Sequence, residues 1–283
     1  MYGIHRFSSL FSRRQLKVLT TLCDVLVNVK QQVQRDAMRA GLADSGVPLR
    51  SDGKGIDAYA DAISVYLAFL IDKGADFWSR NTTWIPNTEA VGHTFVRHTL
   101  SMVWDYTEAN PFSTSSGSLG NLINGLFKVF GIFGHGSGQA RQENALSVQC
   151  DGKVVLSTDP PYYDNIGYAD LSDYFYVWIR KNLRRSYPDV FSTVLVPRAD
   201  ELIASARRHG GSEAARGRFE KGMLATFTNL RAFVRPDFPI SIFYAFKQYD
   251  AGFMASGQAH PHREFQIRRE RFPAQVGRRC SQV

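Results

Sequence analysis

Cysteine is scarce in this chain. Three residues in 283, Cys23, Cys150 and Cys280, stand far apart and form no Cys-x-x-Cys pair. Neither a disulfide framework nor a zinc site follows from that spacing, so no metal is expected. Acidic residues are also in deficit, 26 against 34 Lys and Arg, giving a formal net charge of +8 and a pI near 9.5. Such a balance favours an anionic partner such as nucleic acid, and it equally fits a soluble protein with a basic tail. No apolar run reaches the roughly 20 residues that span a bilayer, and the N-terminus lacks a signal-peptide pattern. A cytoplasmic protein with no membrane partner is therefore the expectation. What is present is apolar surface: 44% hydrophobic and 13% aromatic residues suffice for one sizeable core or two small ones.

Along the chain, the helical period dominates first. Residues 12–40 read as one long amphipathic helix capped by Ser12, with Leu16, Leu19, Leu22, Cys23, Leu26, Val29 and Val33 on one side. After a polar break at 41–55, a second helix carries Tyr59, Ile63, Tyr66, Leu67 and Leu70 and ends at Gly74. Trp78, Trp84 and Pro86 fall in a loop, and residues 93–104 have the pattern of a third, shorter helix. The Ser- and Gly-rich stretch 111–138 reads as a connector around the apolar patch 119–133.

Residues 146–150 and 154–156 read as short strands joined by a tight turn at Asp151-Gly152. A helix capped by Asp170 or Ser172 then runs to about residue 185. Residues 199–235 are mostly helical with a break at Gly210-Gly211, and 239–246 reads as a second central strand. Strand, helix, helix, strand is half of a doubly wound α/β domain.

The most informative stretch is 154–168. An apolar, β-branched run ends in Asp159, Pro160, Pro161, Tyr162 and Tyr163. In open α/β sheets, ligands bind outside the carboxyl ends of the strands, where Asp159 falls. The prolines stop the ladder and set the direction of the Pro160 carbonyl. One acceptor side chain, one acceptor carbonyl and two aromatic rings suit a planar base bearing an exocyclic amine.

Asp-Pro-Pro-Tyr resembles motif IV of the amino-methyltransferases that act on DNA bases. The longer run 159–180 is very similar to the large adenine-specific DNA methylases described as containing a Zn-ribbon. Three further segments fit that family: Tyr-Gly-Ile with Arg-Gln-Leu (2–4 and 14–16), residues 104–113, and Phe-Tyr-Ala-Phe-Lys-Gln (243–248). The resemblance spans roughly residues 1–248, though the ribbon cysteines are absent.

It implies a Rossmann-like methyltransferase sheet, here partial, with a helical N-terminal region. It also implies S-adenosylmethionine as cofactor, DNA as partner, and a restriction or phage-defence setting. A missing N-terminal half or other defence-system subunits are the further partners it suggests. Under it, Asp159 and the Pro160 carbonyl accept the two hydrogens of the adenine 6-amino group, Pro161 holds the turn, and Tyr162 stacks on the flipped base. Tyr163, Asp164 and Asn165 shape the pocket or contact substrate, or form a plain turn.

Other features carry less. Tyr168, Tyr174, Phe175, Tyr176 and Trp178 are read as core packing ahead of base stacking. Arg180, Lys181, Arg184 and Arg185 suit either phosphates or a helix C-terminus. Asn110-Pro111-Phe112 resembles a second amine site but lacks the second proline and a preceding strand. Lys247 and Gln248 are candidates for a pocket edge. The methyl-donor signature, Asp-Pro-Phe-x-Gly-x-Gly, has no match upstream of residue 154, and Gly134 to Gly138 reads as linker.

The division expected is therefore a mainly helical region over 1–145, a partial catalytic domain over 146–248, and a basic, disordered tail over 249–283. The change of composition after Gln248 fits a truncation or reading-frame change, or a genuine basic tail. The functional expectation is an adenine-specific DNA methyltransferase lacking its cofactor motif and inactive alone. The alternatives are a catalytically inactive nucleic-acid-binding fragment and an amino-methyltransferase acting on cytosine or RNA.

Overall fold

The computed structural model describes residues 5–130, 132, 138–164 and 166–244. The chain divides into two compact units: residues 1–140 with 168–201, and residues 141–167 with the chain from 202 onward.

The first unit is helical. Helix α1 spans Arg13–Arg39 and starts at a complete capping box. Ser12 Oγ accepts the Gln15 N–H at 3.2 Å, and Gln15 Oε1 accepts the Ser12 N–H at 2.7 Å. These bonds satisfy donors that a bare helix end would leave open. Helix α2 spans Ile56–Phe77, so Gly74 lies inside it rather than at its end. A Cβ at Gly74 would meet the Trp78 ring at 2.5 Å, so glycine is required there for packing. Trp78 is 1% exposed and donates its Nε1–H to the Gly117 carbonyl at 2.7 Å.

Helix α4, Tyr168–Leu183, completes this core. Leu19, Cys23 and Leu26 of α1 share it with Ala68, Ile71 and Ala75 of α2 and with Tyr174, Trp178 and Leu183 of α4. The Tyr174 ring stacks on Phe11 at 5.6 Å, and its hydroxyl donates to the Ala75 carbonyl. Because α4 begins at Tyr168, Asp170 sits in its first turn and Ser172 lies inside it, so neither is the cap. Glu201 instead accepts the Ala169 N–H at 2.9 Å.

Two further expectations fail in this unit. Residues 93–104 form no helix; the Thr94 and Phe95 amides bond to the backbone carbonyl and Oδ1 of Asp76. The supposed connector contains helix α3, Leu119–Phe130, made from the apolar patch that its polar flanks obscured. Two-residue strands β1, Trp84–Ile85, and β2, Ala90–Val91, pair antiparallel.

The second unit holds strand β3, Ser157–Thr158, paired in parallel with β4, Ser241–Ile242. A parallel bridge between Val154 and Val234 precedes it. Residues 146–150 form no strand. Helix α5, Ser212–Arg231, packs a small core of Ala204, Ala215, Phe219 and Met223. The expected helix over 199–211 is absent.

The partial doubly wound sheet is thus overturned. Among the described residues, 46% are helix and 4% strand, in two sheets of two strands each. The β-branched run 154–156 finds one neighbour along the chain 234–243, and Val155 stays 56% exposed. A doubly wound sheet needs strands covered on both faces and paired on both edges, and local propensity supplies neither.

Candidate functional site

Asp159 follows β3 directly. The ladder before it is regular: Val154 N–H donates to the Phe233 carbonyl at 2.8 Å, Ser241 N–H to Leu156 at 3.0 Å, and Phe243 N–H to Thr158 at 2.8 Å. The two prolines end the pairing because Pro160 and Pro161 have no N–H to donate. Asp159 is exposed, while Pro160, Pro161 and Tyr162 are half-buried.

Tyr162 folds back so that its hydroxyl donates to Asp159 Oδ1 at 2.9 Å. Its ring meets Tyr244 edge-on, with centroids 5.5 Å apart. The Tyr244 hydroxyl accepts the Tyr163 N–H at 3.3 Å. The Tyr163 carbonyl accepts the Ala204 N–H, and the Tyr163 ring lies edge-on to Phe219 at 5.3 Å. The loop is therefore a braced turn, with β4 and α5 holding its aromatic residues.

The structure brings Asp159 and Tyr162 together and places Tyr163 and Asp164 at the exposed side. Asn165, Lys247, Gln248 and residues 134–137 lie outside the described residues. Tyr244 went unrecognised in the sequence, although it lies within the 243–248 segment that carries part of the resemblance. Among the described residues, no strand is followed by a glycine-rich loop opening a helix, the cradle expected for S-adenosylmethionine.

The remaining sequence candidates lie in the first unit. Tyr174 and Trp178 are buried core. Arg180 donates to the Thr193 carbonyl at 2.7 Å, and Lys181 pairs with Asp24 at 3.1 Å. Arg185 lines a cleft with Lys30, Arg50 and Asp61. Asn110-Pro111-Phe112 lines a different cleft of about 370 Å³, together with Arg14, Gln15, Trp78 and Glu108. There Arg14 pairs with Glu108 at 2.5 Å. That guanidinium holds the Glu108 carboxyl below its usual range.

A third cluster was not anticipated. Asp72 and Asp76 lie one turn apart on α2, each 8% exposed. Asp76 contacts His93 Nδ1 at 2.7 Å and Lys73 at 3.4 Å. Asp72 Oδ1 is buried with no hydrogen-bond partner. Burial pushes the Asp72 carboxyl up to about 8, and the Asp76 charge adds to the shift. The signal was legible as two acids at i,i+4 after the apolar run of residues 65–71 in α2. Among the described residues, no group of three or more His, Cys, Asp or Glu side chains is placed to hold a metal. Nor is any helix there long and apolar enough to cross a membrane.

No protein-family model, curated protein or solved structure matches this chain.

Proposed function

We propose that this chain carries the base side of a DNA amino-methyltransferase site that acts on the 6-amino group of adenine. The observation that supports the reading is the braced Asp159–Tyr162 turn directly beyond a parallel strand pair. An exocyclic amine arriving there donates one N–H to Asp159 and the other to the Pro160 carbonyl. Two acceptors in those directions draw the nitrogen away from planarity and free its lone pair from the ring. Asp159 orients the amine and stabilises the positive charge as it develops, rather than removing a proton first. The Tyr162 hydroxyl exchanges its bond to Asp159 for the incoming amine. S-adenosylmethionine is the methyl donor that the resemblance implies, but the described residues do not form its cradle, and the donor side is not assigned to them.

The test uses the full chain and single-stranded DNA oligonucleotides that differ at one base. Adenine is compared with purine, which lacks the 6-amino group. Adenine should bind about tenfold or more tighter, from two additional hydrogen bonds of which one goes to a charged acceptor, and Asp159→Ala should remove most of the preference. Equal binding of adenine and purine sinks the reading. A preference for cytosine, or for RNA over DNA, moves the same amine chemistry to another substrate. Salt-dependent binding without base preference instead identifies a nucleic-acid binder.

A further inference from the structure

The cleft at the start of α1 contains an unused donor. Gln15 is 3% exposed, and its Nε2 is buried without a partner. The assignment of nitrogen and oxygen is set by the capping box: the Ser12 N–H needs an acceptor, so the atom 2.7 Å from it is Oε1. Both N–H bonds of the amide therefore remain open on a residue that lines the cleft. A buried donor left open is costly by about 1–3 kcal/mol, which an acceptor on a ligand recovers.

The other walls narrow the chemistry. Phe112 is 75% exposed and sits beside Pro111, which gives a flat apolar face. Arg14 stands at the same cleft but is paired with Glu108, so the cations left for an anion are the exposed Arg13 and Lys17 on the first turns of α1. A volume of about 370 Å³ is at the small end for ligand sites.

We infer that this cleft is a nucleobase-binding site. A base stacks on Phe112, accepts a hydrogen bond from Gln15 Nε2 at its ring edge, and leaves its phosphate to the cations on α1. Phe and Trp side chains have no edge acceptor, and neither a peptide side chain nor an unphosphorylated sugar brings an anion for the cations on α1. The site belongs to the first unit and does not rest on the reading of Asp159. The base comes either from a free nucleotide or from an unpaired position in a strand.

Isothermal titration of the full chain with AMP, ribose 5-phosphate and a short oligo-dA tests it. AMP should bind at least tenfold tighter than ribose 5-phosphate. Gln15→Glu keeps the capping box, since its carboxylate still accepts the Ser12 N–H, but removes the donor. It should weaken base binding tenfold or more while helix content holds at the titration temperature. Phe112→Ser should weaken it severalfold, and Asp159→Ala should leave it unchanged. Tight binding of AMP supports a free-nucleotide site, whereas binding of oligo-dA alone, lost in Gln15→Glu, supports an unpaired base in a strand. The inference is overturned if neither AMP nor oligo-dA binds, or if ribose 5-phosphate matches AMP. It is equally overturned if Gln15→Glu is silent, and binding that is lost in Asp159→Ala instead places the base at the Asp159 turn.

Discussion

Asp72→Asn is expected to stabilise the first unit, and the gain should grow with pH. Asp72 is buried in α2 with Oδ1 unpartnered, and burial beside Asp76 raises its carboxyl to about 8 from 3.8. The folded chain therefore holds a proton that the unfolded chain releases above pH 4. Stability from this group is complete below about pH 4 and is lost as pH rises toward 8. The slope is about 1.4 kcal/mol per pH unit across that window. By pH 7 the loss reaches on the order of 4 kcal/mol. Asparagine has a similar shape and does not titrate, though its amide also needs partners, so the net gain at pH 7 should be roughly 2–4 kcal/mol. Urea denaturation followed by circular dichroism at pH 4, 5.5, 7 and 8 measures it. The variant and the parent should converge at pH 4 and separate steadily above it. Parallel profiles, or a variant less stable than the parent at pH 7, would refute the buried-acid argument.

Two further substitutions probe the same core. Gly74→Ala should destabilise the fold by about 2 kcal/mol or more, because its methyl would enter the Trp78 ring and disturb the bond to Gly117; thermal unfolding reads this directly. Arg198→Met should cost about 3 kcal/mol by chemical denaturation. It leaves Asp173, 4% exposed, with only the Val196 N–H among the two partners that now hold it.

Much of the first unit was legible because its signals are local. The apolar rows of α1 and the Ser12 cap sit within a few residues of the bonds they form, and α2 followed similarly. Local signals were not enough elsewhere. Residues 93–104 carry a helical pattern yet form no helix, and Asp76 instead ties the Thr94 and Phe95 amides to α2. Helix α3 was hidden by polar, glycine-rich flanks. The strand at 154–156 had the right composition, yet pairing depends on how many neighbours exist, and among the described residues only 234–243 pairs with this strand.

At the candidate site, Asp159, the prolines and Tyr162 were identified by residue type and order. Their bracing by Tyr244 and Phe219 was not, because those residues lie 56 or more positions away. The Gln15 cleft was half visible: Asn110-Pro111-Phe112 attracted notice, whereas Gln15 entered only within the Arg-Gln-Leu segment 14–16.

The path of the chain through the two units has a consequence for how the molecule is made. Residues 168–201 return to the first unit after the chain has already entered the second. During synthesis, α1 and α2 emerge early and must wait with an apolar face uncovered until Tyr174 and Trp178 have left the ribosome. Any dissection that stops near residue 145 removes those two side chains from the core. A minimal version of the first unit would instead join residue 140 to 168 through a short linker, omitting the Asp159 loop altogether.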